Sequence, residues 1–367
     1  MSEQKKPEIK PDTSKMEYRY LGNSGLRVSV FGWGNWVNNQ DDKLTLDSIK
    51  ICLENGVNFF DTAEGYGFGT GELTLGKALK ELNVEREKVV ISTKLFKIGN
   101  DPNDSALSRK HVLEGLKNSL KRLQLDYVDI VFCHRPDRQT PIEETCKAMN
   151  NLIDLGLAFY WGTSEWESDL IMEAYKVCEE LKLIPPICEQ CNYNMFVRER
   201  VEDEYRDLFK KYKMGTTIWS PLFSGILTGK YIKEIPKDSR FNNNNDGGSN
   251  SFKKYMDNKK EYDAKLIKLK EIAEKKLNCT LAQLALAWVI VNPDTSTCLL
   301  GASKTNQLEE NFKAFEVYKK LDKNILLEIE KTLNNTPKGE IDYRDWKELP
   351  SRRNILLDVD YYKGGSN

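Results

Sequence analysis

The chain has 367 residues, 40% of them hydrophobic, and a formal net charge of −1 from 55 Lys and Arg against 56 Asp and Glu. That size and apolar content suit one large soluble domain or two small ones. The near balance of charge leaves no net positive field, which excludes nucleic acid or anionic lipid as a partner of the chain as a whole; either would need a local patch.

Residues 1–16 are polar and contain proline without an apolar core, so they read as a disordered arm and not as a signal peptide or anchor. No apolar run approaches the roughly 20 residues of a membrane-spanning helix, and no membrane insertion is expected. From Tyr18 to Ser29 two short strands flank a Gly22-Asn23-Ser24-Gly25 turn, a hairpin signal placed to plug one end of a barrel. Eight short apolar runs then alternate with segments of helical period such as Leu46–Glu54 and Arg109–Arg122. The runs are Val30–Asn35, Asn58–Ala63, Val89–Lys94, Val128–His134, Ala158–Ser164, Ile187–Cys191, Thr216–Leu222 and Ser296–Ser303. Repeated βα units predict a parallel sheet, and eight of them predict closure into an α/β (β/α)8 TIM barrel over residues 17–334. An open doubly wound sheet is disfavoured because no GxGxxG follows the first strand.

Residues 230–262 form a polar stretch with Asn242 to Asn245 and Gly247-Gly248. It reads as a long loop after the seventh strand, on the catalytic face, either closing over a ligand or serving as an insertion without a role. A helical pattern resumes at Lys265–Lys276, and residues 335–367 read as a patternless tail. Of the eight cysteines, Cys52, Cys133, Cys188, Cys191 and Cys298 lie in apolar runs where free thiols pack, and the compartment reads as reducing. Cys188-Glu-Gln-Cys191 has CxxC spacing, but it sits in a strand-like run without a second Cys or His pair, so no metal is assigned.

At the C-terminal ends of barrel strands, polar side chains point to the active site. Asp61 closes the second run, Lys94 the third and His134 the fourth, while Tyr66 follows in a Gly-flanked loop. A buried Lys needs a carboxylate, which Asp61 supplies. The Lys94 ammonium is then expected to lower the pKa of Tyr66, which becomes a general acid toward a carbonyl oxygen, with His134 orienting that carbonyl. Taken singly, each residue has an ordinary structural reading; four complementary groups at neighbouring strand mouths favour the chemical one. His111, at a helix start, reads as structural. Gly301-Ala-Ser303-Lys304 followed by a helix forms a candidate phosphate site or an ordinary cap. Trp219 is either a stacking surface or core.

The segments Asn58-Phe-Phe-Asp61-Thr-Ala-Glu-Gly-Tyr66, Ser92-Thr-Lys94, Tyr127 to Asp137, Tyr160-Trp-Gly-Thr-Ser164, Pro185-Pro-Ile-Cys-Glu-Gln190, Trp219-Ser-Pro-Leu222 and Leu300-Gly-Ala-Ser303 resemble aldo-keto reductases. The branch they resemble is that of voltage-gated potassium channel β subunits, from about Tyr18 to about Asn334. The resemblance implies an NADPH-dependent reductase of aldehydes and ketones whose tetrad is Asp61, Tyr66, Lys94 and His134, with Tyr66 the proton donor. It implies nicotinamide stacking on Trp219, with the amide held by Ser164 and Gln190, and Asn35, Trp36 and Gln40 at the pocket mouth. Ser220, Pro221, Leu222, Ser224, Lys230 and Arg240 would line the pyrophosphate, and Gly301, Ser303, Lys304, Gln307, Glu310 and Asn311 the adenosine end, with Ser303 and Lys304 favouring NADP. The expected substrate pocket is Trp36, Tyr66, Phe68, His134 and Trp166.

The same resemblance implies a cytoplasmic homotetramer peripheral to a channel and a channel α subunit as partner, with the barrel acting as an NADP(H) redox sensor. The chain departs from that branch in places. Animal channel β subunits generally carry Asn where His134 stands, so this chain has the tetrad of an ordinary reductase. Glu165 replaces a usual Arg and Asp238 a usual Tyr, which adds negative charge near a polyanionic ligand and implies either weaker cofactor binding or readier cofactor exchange. The arm is shorter than the pore-blocking segment of some β subunits. With two histidines, a metal-dependent barrel hydrolase is disfavoured.

Overall fold

The computed structural model describes residues 8–37, 41–236, 239, 250–339, 341–344, 346–348 and 353. The chain divides into two compact units. One comprises Met1–Cys191, Leu208–Thr217 and Ser296–Glu309; the other comprises Asn192–Asp207, Ile218–Thr295 and Glu310–Asn367.

A hairpin of β1 (Tyr18–Tyr20) and β2 (Arg27–Ser29) precedes the barrel. The barrel strands are β3 (Phe31–Gly34), β4 (Phe59–Asp61), β5 (Val90–Leu95), β6 (Val128–Cys133), β7 (Ala158–Ser164), β8 (Cys188–Asn192), β9 (Gly215–Trp219) and β10 (Thr297–Leu300). They close in the order β10-β3-β4-β5-β6-β7-β8-β9, with parallel pairing between β10 and β3 and through each step from β3 to β8. This is the (β/α)8 barrel. In the first unit α1 (Asp42–Glu54), α2 (Thr70–Glu81), α3 (Arg109–Leu123), α4 (Ile142–Asp154) and α5 (Ser168–Leu181) connect successive strands, each packing on the next.

The alternation of side chains along a strand sorts each run into an inner and an outer set. In β5, Val90, Ser92 and Lys94 share the inner face, while Thr93 turns outward to donate to Glu72 of α2. Val90 joins Phe59, Ile130, Phe132, Cys188 and Leu299 in a core cluster that also takes Leu21 and Val28 of the hairpin, so β1–β2 seals this floor. Two glycines permit the approach. A Cβ on Gly22, whose φ is +60°, would stand 2.1 Å from Ile187 O, and one on Gly215 would stand 2.4 Å from Gly22 N.

In the second unit, α6 (Arg206–Tyr212) starts at the boundary, and α7 (Asn250–Asp257), α8 (Lys259–Ile272), α9 (Leu281–Ile290), α11 (Ala314–Tyr318) and α12 (Lys323–Leu333) follow, with α10 (Thr305–Phe312) spanning the other boundary. Helix α9 is buried at every residue but Ala282 and starts with a Thr280–Gln283 capping box. The stretch read as one loop over 230–262 instead carries α7 and the first turn of α8. The aromatic residues Phe252, Tyr255 and Tyr262 anchor these helices, with Tyr255 buried and its ring 6.0 Å from that of Tyr262. The Asn run and Gly247-Gly248 lie outside the described residues, as do residues 1–7 of the arm, whereas residues 8–16, read with it as disordered, are ordered by an Ile9–Val84 bridge and by Asp12 N–H donating to Leu53 O at 2.9 Å.

The stretch read as a patternless tail contains a small hairpin, β11 (Ile341–Asp342) with β12 (Lys347–Glu348). It also places Arg353 in the interior of the second unit, 4.3 Å over the Trp288 ring and 3.4 Å from Glu330.

Candidate active site

Four strand ends bring the polar residues together. Asp61 ends β4 and pairs in register with Ser92, whose hydroxyl donates to Asp61 Oδ1 at 2.7 Å, while Gln190 Nε2 of β8 donates to the same oxygen at 3.3 Å. Lys94, one inward position beyond Ser92, has no exposure. Its ammonium donates to Asp61 Oδ2, to Thr62 O at 2.7 Å and to the Tyr66 phenol oxygen at 3.0 Å. An ammonium carries three protons, and these three acceptors use them all. Tyr66 accepts at its oxygen and keeps its own O–H free to donate.

Charge follows this geometry. Burial pulls Lys94 down, but the Asp61 carboxylate and then Tyr66 more than restore it, leaving the ammonium above its ordinary value. The lowered Tyr66 expected from the sequence does not result. Burial raises the phenol, Lys94 lowers it, Asp61 raises it again, and the net direction is upward. The reason is that burial of the phenol, reinforced by the Asp61 carboxylate, outweighs the field of Lys94. Tyr66 is therefore a protonated donor at neutral pH. His134 follows β6 with its N–H on Leu95 O at 2.9 Å, and its ring centroid lies 5.7 Å from that of Tyr66. Burial, Lys94 and Arg135 hold the imidazole well below its ordinary pKa, so it is neutral.

The loop carrying Tyr66 holds Gly67, Phe68 and Gly69 at φ of 57°, 52° and 89°. Three successive left-handed residues, one of them aromatic, are uncommon and store strain of order 1 kcal/mol or more. Phe68 is thereby 76% exposed and Trp36 is 52% exposed, with Trp36 edge-on to Tyr66 at 4.9 Å, whereas Trp166 is 1% exposed. Of the expected pocket residues, then, Trp36 and Phe68 stand at the surface near Tyr66 and Trp166 is interior.

Among the residues expected to hold a cofactor, Ser164 and Gln190 are register partners on β7 and β8, both buried. Asn35 is buried with its Nδ2 on Gly71 O at 2.6 Å and its Oδ1 without a partner. Gly301, Ser303, Lys304 and Gln307 are exposed, and Gln307 Oε1 accepts from Ser303 N at 3.0 Å at the start of α10. In the second unit Ser220, Phe223, Ser224 and Gly225 all have positive φ, and Ser220 Oγ accepts from Ser224 N at 3.1 Å. Trp219, Leu222 and Lys230 belong to the same segment and Pro221 is buried there; Asn311 is buried, and Glu310 O accepts from Gln283 Nε2 at 2.9 Å. Gln40, Arg240 and Asp238 lie outside the described residues.

The sequence reading missed Ser92 and Thr62 as partners of the Asp61–Lys94 pair. Ser92 was findable, since it lies two residues before Lys94 and so on the same face. The same alternation settles Cys188 and Cys191. Cys188 belongs to the inner cluster and an offset of three turns Cys191 outward, and both are buried free thiols. Among the described residues no group of three or more His, Cys, Asp or Glu is arranged to hold a metal, and no described helix is long and apolar enough to cross a membrane.

The family model for the aldo/keto reductase family matches residues 29–333, in keeping with the closed eight-stranded barrel. The chain belongs to that family. Two relatives, from Oryza sativa subsp. japonica and Arabidopsis thaliana, are each 48% identical over 336 residues. The match covers 90% of this chain and the whole of each relative, and both are described as probable voltage-gated potassium channel subunit beta.

Proposed function

We propose that this chain is an NADPH-dependent reductase of aldehydes and ketones in which Tyr66 is the proton donor. The observation that carries the reading is the saturation of the Lys94 ammonium by Asp61, Thr62 O and Tyr66, which leaves the phenol O–H directed to an external acceptor. The described residues fit a nicotinamide nucleotide. Ser164 and Gln190 offer a donor and an acceptor side by side to a carboxamide, and Asn35 Oδ1 is a buried acceptor in need of a donor. When bound, the reduced nicotinamide supplies the hydride that reaches the carbonyl carbon.

The chain's own groups do the rest. Tyr66 gives its proton to the carbonyl oxygen, Lys94 stabilises the phenolate that remains, and Asp61 keeps Lys94 charged. The neutral His134 donates a hydrogen bond that orients the oxygen. Trp36 and Phe68 present aromatic surface to the substrate. Ser303 and Lys304, at an exposed helix start, favour the additional phosphate of NADP, and Trp219, Ser220, Pro221, Leu222, Ser224, Lys230, Gln307, Glu310 and Asn311 remain the proposed contacts to the rest of the nucleotide. The test is oxidation of NADPH with a panel of aliphatic and aromatic aldehydes. Tyr66→Phe is expected to lose about 10²–10⁴-fold in kcat, and retention of full activity would refute the assignment.

The names of the two plant relatives support a second role, as a cytoplasmic subunit assembled with a potassium channel. We propose it as a tetramer beside the first role and not in place of it. Mass by light scattering and co-purification with a channel α subunit test it; a monomer that captures no channel would count against it.

A further inference from the structure

Behind the Tyr66 loop lies a buried pair that the chemistry above does not use. Glu64, on the same loop as Tyr66, is 1% exposed and His111 of α3 is 5% exposed. Glu64 Oε1 accepts from Phe96 N at 2.7 Å and from His111 Nε2 at 2.8 Å, and the Glu64 N–H donates to Lys94 O at 3.1 Å. On the opposite edge of the ring, Nδ1 lies 3.0 Å from Asn103 O. Both ring nitrogens thus face oxygens that accept, so both carry protons and the ring is an imidazolium. A neutral ring would set a lone pair against one of those oxygens.

The charged groups that bear on the ring are Glu64, from the loop after β4, and Asp104, from the loop before α3, and both are acidic. Burial opposes the charge, as does the N-terminal end of α3. The hydrogen bond to Glu64 and its carboxylate outweigh that opposition and hold His111 above its ordinary pKa. Gly115, on the next turn of α3, makes the room, since a Cβ there would stand 3.3 Å from Glu64 Oε2 and 3.8 Å from His111 Nε2.

We propose that His111 is a positioning residue for Tyr66: clamped as an imidazolium between Asn103 O and Glu64, it fixes the loop that presents the phenol, and losing its proton releases that loop. The inference rests on Tyr66 as proton donor. A histidine whose folded pKa is raised contributes fully below its unfolded pKa, near 6.5, and stops contributing as pH rises through the raised value. The alkaline fall in kcat therefore has a step at the titration of His111, before the phenol ionises.

The chain has two histidines, so 15N-histidine labelling resolves each ring. The expected result at pH 7 is His111 doubly protonated and His134 neutral. In 13Cζ-tyrosine-labelled protein, with the Tyr66 signal assigned by Tyr66→Phe, that signal should shift as His111 titrates. His111→Gln, which keeps a donor but cannot titrate, should abolish the shift, lower kcat about 10–100-fold with KM for NADPH unchanged, and remove the alkaline step. A neutral His111 at pH 7, a Tyr66 signal indifferent to its titration, or a His111→Gln enzyme with the wild-type kcat and profile would each overturn the proposal. The labelled wild-type measurements require neither the variant nor turnover. A protein inactive toward every carbonyl would therefore defeat the reductase reading while the coupling of His111 to Tyr66 still stood or fell on the spectra.

Discussion

Removing the charge of Asp61 tests whether the strand-end pair holds the fold as well as the chemistry. Lys94 and Asp61 have side-chain exposures of 0% and 2%, and Asp61 Oδ1 already takes protons from Ser92 and Gln190. In Asp61→Asn the amide has one oxygen to serve both sides, so a donor meets a donor whichever way it turns. Breaking a buried pair on one side costs roughly 3–5 kcal/mol. An independent bound agrees with that range. The stranded ammonium has one escape, loss of its proton, and from an unfolded pKa near 10.4 this costs about 4–5 kcal/mol at pH 7. The bound falls by about 1.4 kcal/mol per pH unit, to roughly 2 kcal/mol at pH 9. The wild-type side has the same sign. With the folded pKa of Lys94 raised, the pair's contribution is complete below the unfolded lysine value and is lost as pH climbs through the folded one. Urea denaturation by circular dichroism at pH 7 and pH 9 measures both gaps. Asp61→Asn should be strongly destabilised at pH 7 and less so at pH 9, and Asp61→Asn with Lys94→Met should recover most of the loss. A single variant as stable as wild type at pH 7, or a gap that does not narrow with pH, would refute the reasoning.

Three further outcomes are expected. In Gly76→Ala the new Cβ would stand 2.2 Å from Leu123 O, forcing α2 away from α3; a loss of about 1–3 kcal/mol in the same denaturation assay is expected, and a wild-type midpoint would contradict it. Glu330 is held below its ordinary pKa because Arg353 and Arg198 overcome the opposing effect of burial, so its stabilisation is present above the unfolded value and lost as pH falls through the folded one; Glu330→Gln should therefore be destabilised at pH 7 and converge on wild type in acid, and a gap of constant size would exclude that coupling. Seven of the eight thiols are buried and Cys279 is half-buried, so a disulfide-exchange reagent on native protein should label Cys279 first, and Cys279→Ser should suppress that phase; fast reaction of a second thiol would contradict the packing.

Much of the barrel was legible because eight β-branched or aromatic runs of strand length repeat between helical periods, and Ala158–Ser164 was read to the residue. Boundaries elsewhere slipped by one to three residues, as where β9 runs Gly215–Trp219 and leaves Ser220 to Leu222 to the following turn. Apolar character continues past the last ladder bond there, so composition cannot mark the end. Helix α7 was missed for the opposite reason. Its lysines mask the spacing of Phe252 and Tyr255, which becomes informative only when their aromatic partners are known.

The site divides along the same line. Placement of Asp61, Lys94 and His134 at strand ends follows from period and topology, which are properties of local sequence. The protonation of Tyr66 does not, because it depends on the balance between burial and two opposing charges at fixed distances. The two histidines make the point most sharply. Both follow or begin regular elements, yet burial with a neighbouring ammonium and guanidinium holds His134 well below its ordinary pKa, whereas Glu64 and Asp104, drawn from two other segments, raise His111 above its own. Opposite shifts in one residue type mean that the chemistry of this barrel is set by long-range pairing across strands and loops, which the linear sequence records only as isolated Asp, Glu and Lys residues.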